Sequence, residues 1–282
     1  MIIDTLVDKG RNILKLEGIA NYGLEAELLL TSITKKQRIF SIINGNKKIN
    51  KEDEIRYFKL INRRKNQEPI AYILNNKEFW SINFVVNKNV LIPRPDTEVI
   101  LSDFERRFKK NSKKHILDIG TGSGCIILSI LEQFKNFKGK GLDKSTGAIK
   151  IAKYNSDILY LKNRVKFINC DIDNYKFDQY YDVIVSNPPY IKSHKIKNLG
   201  QNIKRFEPSL ALDGGIDGLE IIKKIINKAK IFLKINGFLY LEIGCEQSIE
   251  VNKMLKLNNF RVISKLKDYS KKVRCIIGTR LK

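Results

Sequence analysis

Apolar residues in the first quarter of the chain recur at helical spacing: Ile2, Ile3, Leu6 and Val7, then Ile13 and Leu14, Leu24 with Leu28 to Leu30, Ile39 to Ile43, and Ile55 to Ile61. Turn residues at Asn21, Gly23 and Asn44-Gly45-Asn46 separate these groups, which predicts a small bundle of about four helices over residues 1–68. From Pro69 the period shortens. A-Y-I-L-N-N-K-E-F-W-S-I-N-F-V-V-N reads as two β-like runs around Asn75-Asn76, a hairpin within 69–90 that joins the bundle to the larger remainder of the chain. In L-I-P-R-P-D-T-E-V-I-L, residues 91–101, Asp96 is placed to cap a helix over Thr97 to Phe108, with Glu98 in its first turn. Capping does not explain Arg94, held between Pro93 and Pro95.

Beyond residue 114 short apolar strands alternate with helical stretches near 125–136, 146–160 and 217–234. The strands are I-L-D-I-G, G-K-G-L-D, V-K-F-I-N-C-D, V-I-V-S-N and F-L-Y-L-E-I-G, and F-R-V-I-S-K-L-K-D with V-R-C-I-I-G-T-R closes the chain as an antiparallel pair. The pattern predicts an α/β fold over 91–282: a doubly wound, mostly parallel sheet of seven strands, Rossmann-like, with helices on both faces. In such sheets ligands bind at the carboxyl ends of the strands, so the strand ends hold the candidate chemistry.

Two strand ends stand out. L-D-I-G-T-G-S-G-C, residues 117–125, places Gly120, Gly122 and Gly124 in a tight strand-to-helix turn that lets a ligand lie against bare backbone at a helix N-terminus. The spacing differs from the G-x-G-x-x-G of dinucleotide sites and lacks the G-K-[ST] of a P-loop. Asp118, just before the glycines, would repel phosphate but tolerate an ammonium or sulfonium group. Asp143 ends the second strand, where a carboxylate can accept from both hydroxyls of a ribose; Asp171 ends the third and can accept from the amine of adenine, with Ile172 packing on the base. Any one of these acids could be an ordinary strand-end cap. Together they describe a nucleoside pocket. The other strand end is V-I-V-S-N-P-P-Y-I, residues 183–191, where Pro188 and Pro189 end the ladder and stiffen the corner after it.

Composition narrows the reading. A chain of 282 residues, 43% hydrophobic, fits a large domain with a small companion. No apolar run approaches the roughly 18 residues of a membrane span, and the opening M-I-I-D-T-L-V-D-K carries acids where a signal peptide has bases, so a soluble, cytoplasmic protein is expected. Cys125, Cys170, Cys245 and Cys275 are scattered in or beside apolar runs and read as buried free thiols. With only His115 and His194, a metal site and a His-based triad both lack parts. The net charge of +23 would gather nucleic acid weakly and without sequence preference, but it is mostly Lys spread over the whole length.

The glycine loop with its two later acids resembles the cofactor site of class I S-adenosylmethionine-dependent methyltransferases. Beside a methyl sulfonium, Asn-Pro-Pro-Tyr makes chemical sense. Asn187 offers a carbonyl oxygen, the prolines leave main-chain carbonyls free of competing N–H groups, and Tyr190 offers a flat face for an amide or base. A planar nitrogen is a poor nucleophile, and holding both its hydrogens aims the lone pair at the methyl carbon, with no general base needed beforehand.

The tetrapeptide is similar to that of methyltransferases acting on adenine N6, guanine N2 or glutamine N5. L-I-P-R-P-D-T-E at 91–98, the helical bundle, the hairpin and R-F-E-P at 205–208 together resemble the release factor glutamine methyltransferase family, PrmC or HemK. The resemblance implies methylation, from S-adenosylmethionine to leave S-adenosylhomocysteine, of the glutamine in the Gly-Gly-Gln loop of class 1 peptide chain release factors. It further implies a monomer without metal or membrane, docking through residues 1–68. Cofactor contacts are implied at Gly120, Thr121, Gly122, Ser123, Gly124, Asp143, Asp171, Ile172 and Asn187, and the glutamine site at Asn187, Pro188, Pro189 and Tyr190, with Asn187, Pro188 and Tyr190 catalytic. Arg94, Glu98, Arg205 and Glu207 are expected to support the site or face the partner. Two departures from the family pattern stand: Ile172, at a position often aromatic, which weakens adenine stacking, and D-Y-S-K-K-V-R, without an acid before its arginine, which is expected to affect only a surface turn. The same chemistry on adenine in DNA or guanine in ribosomal RNA is the alternative, although a bundle of this size offers little for reading a flipped base. A glutamine of a ribosomal protein and a non-catalytic nucleoside-binding protein are further alternatives. The second would have no need of Asn187 and Tyr190.

Overall fold

The computed structural model describes residues 1–176 and 178–282. The chain divides into two compact units, Met1–Asn76 with Gly200–Phe206, and Lys77–Leu199 with Glu207–Lys282.

The first unit holds α1 (Ile3–Leu16), α2 (Tyr22–Thr34), α3 (Arg38–Ile43), α4 (Lys51–Lys65) and the single turn α5 (Ile70–Ile73). Leu6, Leu14, Leu29, Tyr57 and Ile61 form its core, as the helical spacing requires. Asn50 starts α4 by accepting from the Asp53 N–H at 2.7 Å.

In the second unit β1 (Lys77–Phe79) and β2 (Ile82–Phe84) form a hairpin, α6 (Val99–Arg107) comes next, and β3 (His115–Ile119), α7 (Cys125–Gln133), β4 (Lys138–Asp143), α8 (Thr146–Ile158), β5 (Val165–Asn169) and β6 (Tyr181–Ser186) alternate. After the short α9 (Ser193–Ile196), α10 (Gln201–Phe206) is the segment that belongs to the first unit. Then come α11 (Glu220–Phe232), β7 (Leu233–Glu242), α12 (Ser248–Leu257), β8 (Phe260–Lys267) and β9 (Val273–Arg280). The seven-stranded sheet has the order β5-β4-β3-β6-β7-β9-β8, parallel except for β9, which runs antiparallel to both of its neighbours. Two apolar clusters cover its faces, one built on Phe104, Ile127 and Phe134, the other on Ile222, Ile226 and Leu255. The expected doubly wound architecture is present, and the strand order reverses between β3 and β6.

Three local expectations change. The hairpin turns at Trp80-Ser81, not Asn75-Asn76: Phe79 pairs with Ile82, and Trp80 and Ser81 both take left-handed backbone (φ 52° and 57°), as a two-residue turn of this hand demands. Asp96 caps nothing. Residues Pro95–Glu98 form a 3₁₀ turn ahead of α6, and the Asp96 carboxylate pairs with Arg274 at 2.9 Å. Of the four cysteines, all free, only Cys275 is buried; Cys125 and Cys170 are half-buried, and Cys245 is exposed because it falls just past the end of β7.

Candidate active site

A cleft opens at the carboxyl ends of β3 and β6, where the strand order reverses. Its floor is the loop from β3 to α7. Gly120, Gly122 and Gly124 all lie in the left-handed region, with φ of 72°, 56° and 80°. A methyl at Gly120 or Gly122 would meet no atom within 4 Å, so bare backbone faces the cleft, whereas one at Gly124 would come within 3.0 Å of Leu128 on α7. Hydrogen bonds fix the loop: the N–H groups of Gly120 and Thr121 donate to the Leu142 carbonyl at 2.8 and 2.9 Å.

Asp143 completes that fixing. One carboxylate oxygen accepts from the Gly122 N–H and the other from the Ser145 N–H, each at 2.9 Å. Each oxygen keeps a further lone pair for a ligand. Asp118, buried beneath the loop, accepts the Thr121 hydroxyl at 2.7 Å through Oδ2, while Oδ1 has no partner among the described residues. Burial raises its carboxyl to about 7, against the pull of the Thr121 hydroxyl. An unpartnered buried acceptor beside an open glycine loop fits a ligand that brings an ammonium group. Ser123 is buried, and its carbonyl accepts from Asn155 at 2.9 Å. Asp171, half-buried, accepts from the Asp173 N–H at 3.0 Å and so caps the 3₁₀ turn Ile172–Asn174; with buried Ile172 it lines the cleft beside Asp143.

The proline corner comes directly after β6. The Ser186 hydroxyl donates to the Ile119 carbonyl at 2.6 Å, locking β6 to β3 just before the corner. Asn187 and Pro189 line the same cleft as the glycine loop; Pro188 is buried, and Tyr190 turns aside, its hydroxyl donating to Glu242 Oε1 at 3.4 Å. Among the described residues no hydrogen bond reaches the Pro188 carbonyl, whereas Gln247 donates to that of Tyr190 at 3.1 Å.

The four supporting candidates separate. Arg94 and Glu207 form one ion pair of 2.6 Å, and the Glu207 carboxylate also accepts from the Ile92 N–H at 3.3 Å. That pair ties the 89–94 segment to the 207–211 segment, both of which line the cleft. Glu98 instead accepts the Trp80 N–H at 2.9 Å, holding the hairpin turn. Arg205 is exposed in the helical unit, its guanidinium 5.5 Å from the ring centre of Phe206.

Sequence reasoning missed Thr97, Glu242 and Arg274. The Thr97 hydroxyl donates to Glu242 Oε2 at 2.6 Å and lies 3.4 Å from Asn187 Nδ2. Burial pushes the Glu242 carboxyl up to about 7, with the Thr97 hydroxyl and the Arg274 charge opposing. Arg274, in β9, bridges Asp268 at 2.7 Å and Asp96 at 2.9 Å, while Tyr269 to Lys272 ahead of it are exposed and form a surface turn. Glu242 could have been found: it ends a strand in F-L-Y-L-E-I-G as Asp143 does in G-K-G-L-D. Neither histidine lines the cleft.

A glycine loop after β3, acids ending β4 and following β5, and a seven-stranded sheet with β9 inserted antiparallel define a class I methyltransferase. The same fold appears in a solved methyltransferase from Pyrococcus furiosus, 18% identical, TM-score 0.53, covering 73% of this chain and 92% of that one. Family models match residues 5–74 as a PrmC N-terminal domain and residues 95–216 as a methyltransferase small domain. The chain belongs to the release factor glutamine methyltransferase family: relatives of that name from Clostridium acetobutylicum and Clostridium botulinum are 37% and 36% identical, covering 99% and 98% of this chain and 98% of each relative. One from Buchnera aphidicola of Acyrthosiphon pisum is 39% identical over 96% of both chains. No helix among the described residues is long and apolar enough to cross a membrane, and no group of three or more His, Cys, Asp or Glu is placed to hold a metal.

Proposed function

We propose that the protein methylates the side-chain nitrogen of the glutamine in the Gly-Gly-Gln loop of class 1 release factors, using S-adenosylmethionine and acting as a cytoplasmic monomer. The observation that carries this reading is the Asn187 carboxamide lining the glycine-loop cleft, followed by a Pro188 carbonyl that no hydrogen bond reaches among the described residues.

The cofactor, when bound, supplies an electrophilic methyl group. Gly120, Thr121, Gly122, Ser123 and Gly124 would hold it against backbone, with Asp143 on the ribose hydroxyls, Asp171 and Ile172 at the adenine, and Asp118 beneath the amino group. Asn187 Oδ1 and the Pro188 carbonyl would each accept one hydrogen of the glutamine NH₂. Two acceptors in a fixed plane leave the nitrogen lone pair a single direction, and they favour the positive charge that develops on nitrogen. Pro189 would line the entry, and Tyr190 would brace the corner through Glu242. Residues 91–282 would carry this chemistry, 69–90 the connection, and 1–68 the docking of the release factor.

The test is transfer of labelled methyl from S-adenosylmethionine to a purified release factor, with RNA and DNA offered alongside. Label is expected in the release factor and not in its Gln→Ala loop variant. Equal labelling of both, or labelling of the nucleic acid, would refute the assignment.

A further inference from the structure

An asparagine side chain can serve as a hydrogen acceptor toward a substrate only if something decides which end of its amide faces outward. Rotation by half a turn exchanges oxygen for NH₂ at almost no steric cost, and an NH₂ facing a substrate NH₂ would oppose two donors. Asn187 therefore needs a neighbour with a definite polarity.

We propose that Thr97 and Glu242 set that polarity: ionised Glu242 takes the Thr97 hydroxyl hydrogen, Thr97 can then only accept, Asn187 Nδ2 turns toward Thr97, and Asn187 Oδ1 is left toward the substrate. The inference rests on the reading of Asn187 as the substrate's acceptor and adds two positioning residues to it. The bond from Thr97 Oγ1 to Glu242 Oε2 is 2.6 Å, short enough to commit the single hydroxyl hydrogen, and the Asn187 Nδ2 approach to the same oxygen is 3.4 Å. Glu242 and Thr97 are both about 2% exposed, so the bond between them is shielded from bulk solvent. Facing Glu242 are the Tyr190 hydroxyl at 3.4 Å and the positive charge of Arg274, with the Asp96 carboxylate, itself paired to Arg274, opposing. Thr97 lies on the 3₁₀ turn, Glu242 at the end of β7 and Asn187 after β6, so three separate elements must be in register for the relay to exist. Were the carboxylate replaced by a group able to donate, the Thr97 hydroxyl would be free to donate to Asn187 Oδ1 and the amide would turn over.

The test uses the full-length protein at pH 8.5, above the raised range of the Glu242 carboxyl, about 7. Thr97→Val keeps the shape and removes the hydroxyl; Glu242→Gln keeps the shape and allows donation. Both are expected to lower kcat by about tenfold, the scale of one hydrogen bond, with little change in KM for the release factor or in S-adenosylhomocysteine affinity. Thr97→Ser is expected to recover most of the loss. A second readout needs no turnover: the side-chain amide resonance of Asn187, identified by its absence in Asn187→Ala, should move in Thr97→Val and Glu242→Gln and return toward its original position in Thr97→Ser. An unmoved resonance, wild-type kcat in both variants, or loss of cofactor binding together with turnover would overturn the relay. If instead the wild-type protein methylates no release factor while the resonance responds as described, the relay stands and the substrate assignment fails.

Discussion

Asn187 lines the cleft at the corner after β6, its Nδ2 lying 3.4 Å from the Thr97 hydroxyl oxygen. Asn187→Ala is expected to reduce kcat about a hundredfold, the cost of one oriented transition-state contact, with cofactor affinity within a few fold by calorimetry. Asp118 was legible as an acid beside the glycines, but its burial was not, since that depends on β3 being covered on both faces. Its raised carboxyl has a signed consequence. The folded, cofactor-free protein keeps this proton up to about pH 7, whereas the unfolded chain loses it near pH 4, so the contribution to stability falls as pH rises between those values and levels off above. Glu242 acts in the same direction. Asp118→Asn, which removes the titration, is expected to gain on the order of a few kcal/mol over the wild type at pH 8 relative to pH 4, read from denaturant midpoints. An equal difference at both pH values would show that the carboxyl ionises normally. Thr97 escaped notice because a threonine in a turn carries no signal until its partners arrive from β6 and β7.

At the scale of elements, alternation of apolar runs was enough to read the sheet and its main helices, since a parallel strand buried on both faces has little freedom of composition. Turns were harder. Trp80-Ser81 contains neither the Asn-Gly nor the Gly-rich pair that marks a two-residue hairpin, and its left-handed backbone is supported from outside, by the Glu98 carboxylate on the Trp80 N–H. Asp96 satisfied every local rule for a cap and was taken by a longer-range partner, Arg274. The Arg94–Glu207 pair is of the same kind. Its carboxylate side chain is 1% exposed, so Arg94→Ala leaves a buried charge with, among the described residues, only the Ile92 N–H. A loss of roughly 2–3 kcal/mol is expected by chemical denaturation, less than for a fully buried pair because Arg94 is itself 35% exposed. Adding Glu207→Gln should return part of it. A single variant within half a kcal/mol of wild type would mean that the two cleft-lining segments are held by packing alone.

For the whole molecule, the sequence indicated a small helical part and a larger α/β part, but not that Gly200–Phe206 returns to the helical unit, because a six-residue helix far along the chain carries no mark of where it packs. The charge of +23 belongs to this scale too, and a polyanion such as heparin should bind with an affinity that falls steeply with salt and is indifferent to sequence. Sequence-selective binding at high salt would give that charge a specific role. The hairpin turn carries one more consequence. Trp80 is the only tryptophan of the chain, half-buried against the sheet's apolar cluster, so indole fluorescence is an optical reporter for the α/β unit alone. Circular dichroism sums over both units. Because a small bundle holds a thinner margin of stability, ellipticity should begin to fall at lower denaturant than the emission shifts, and superimposable curves would reveal a molecule that melts as one.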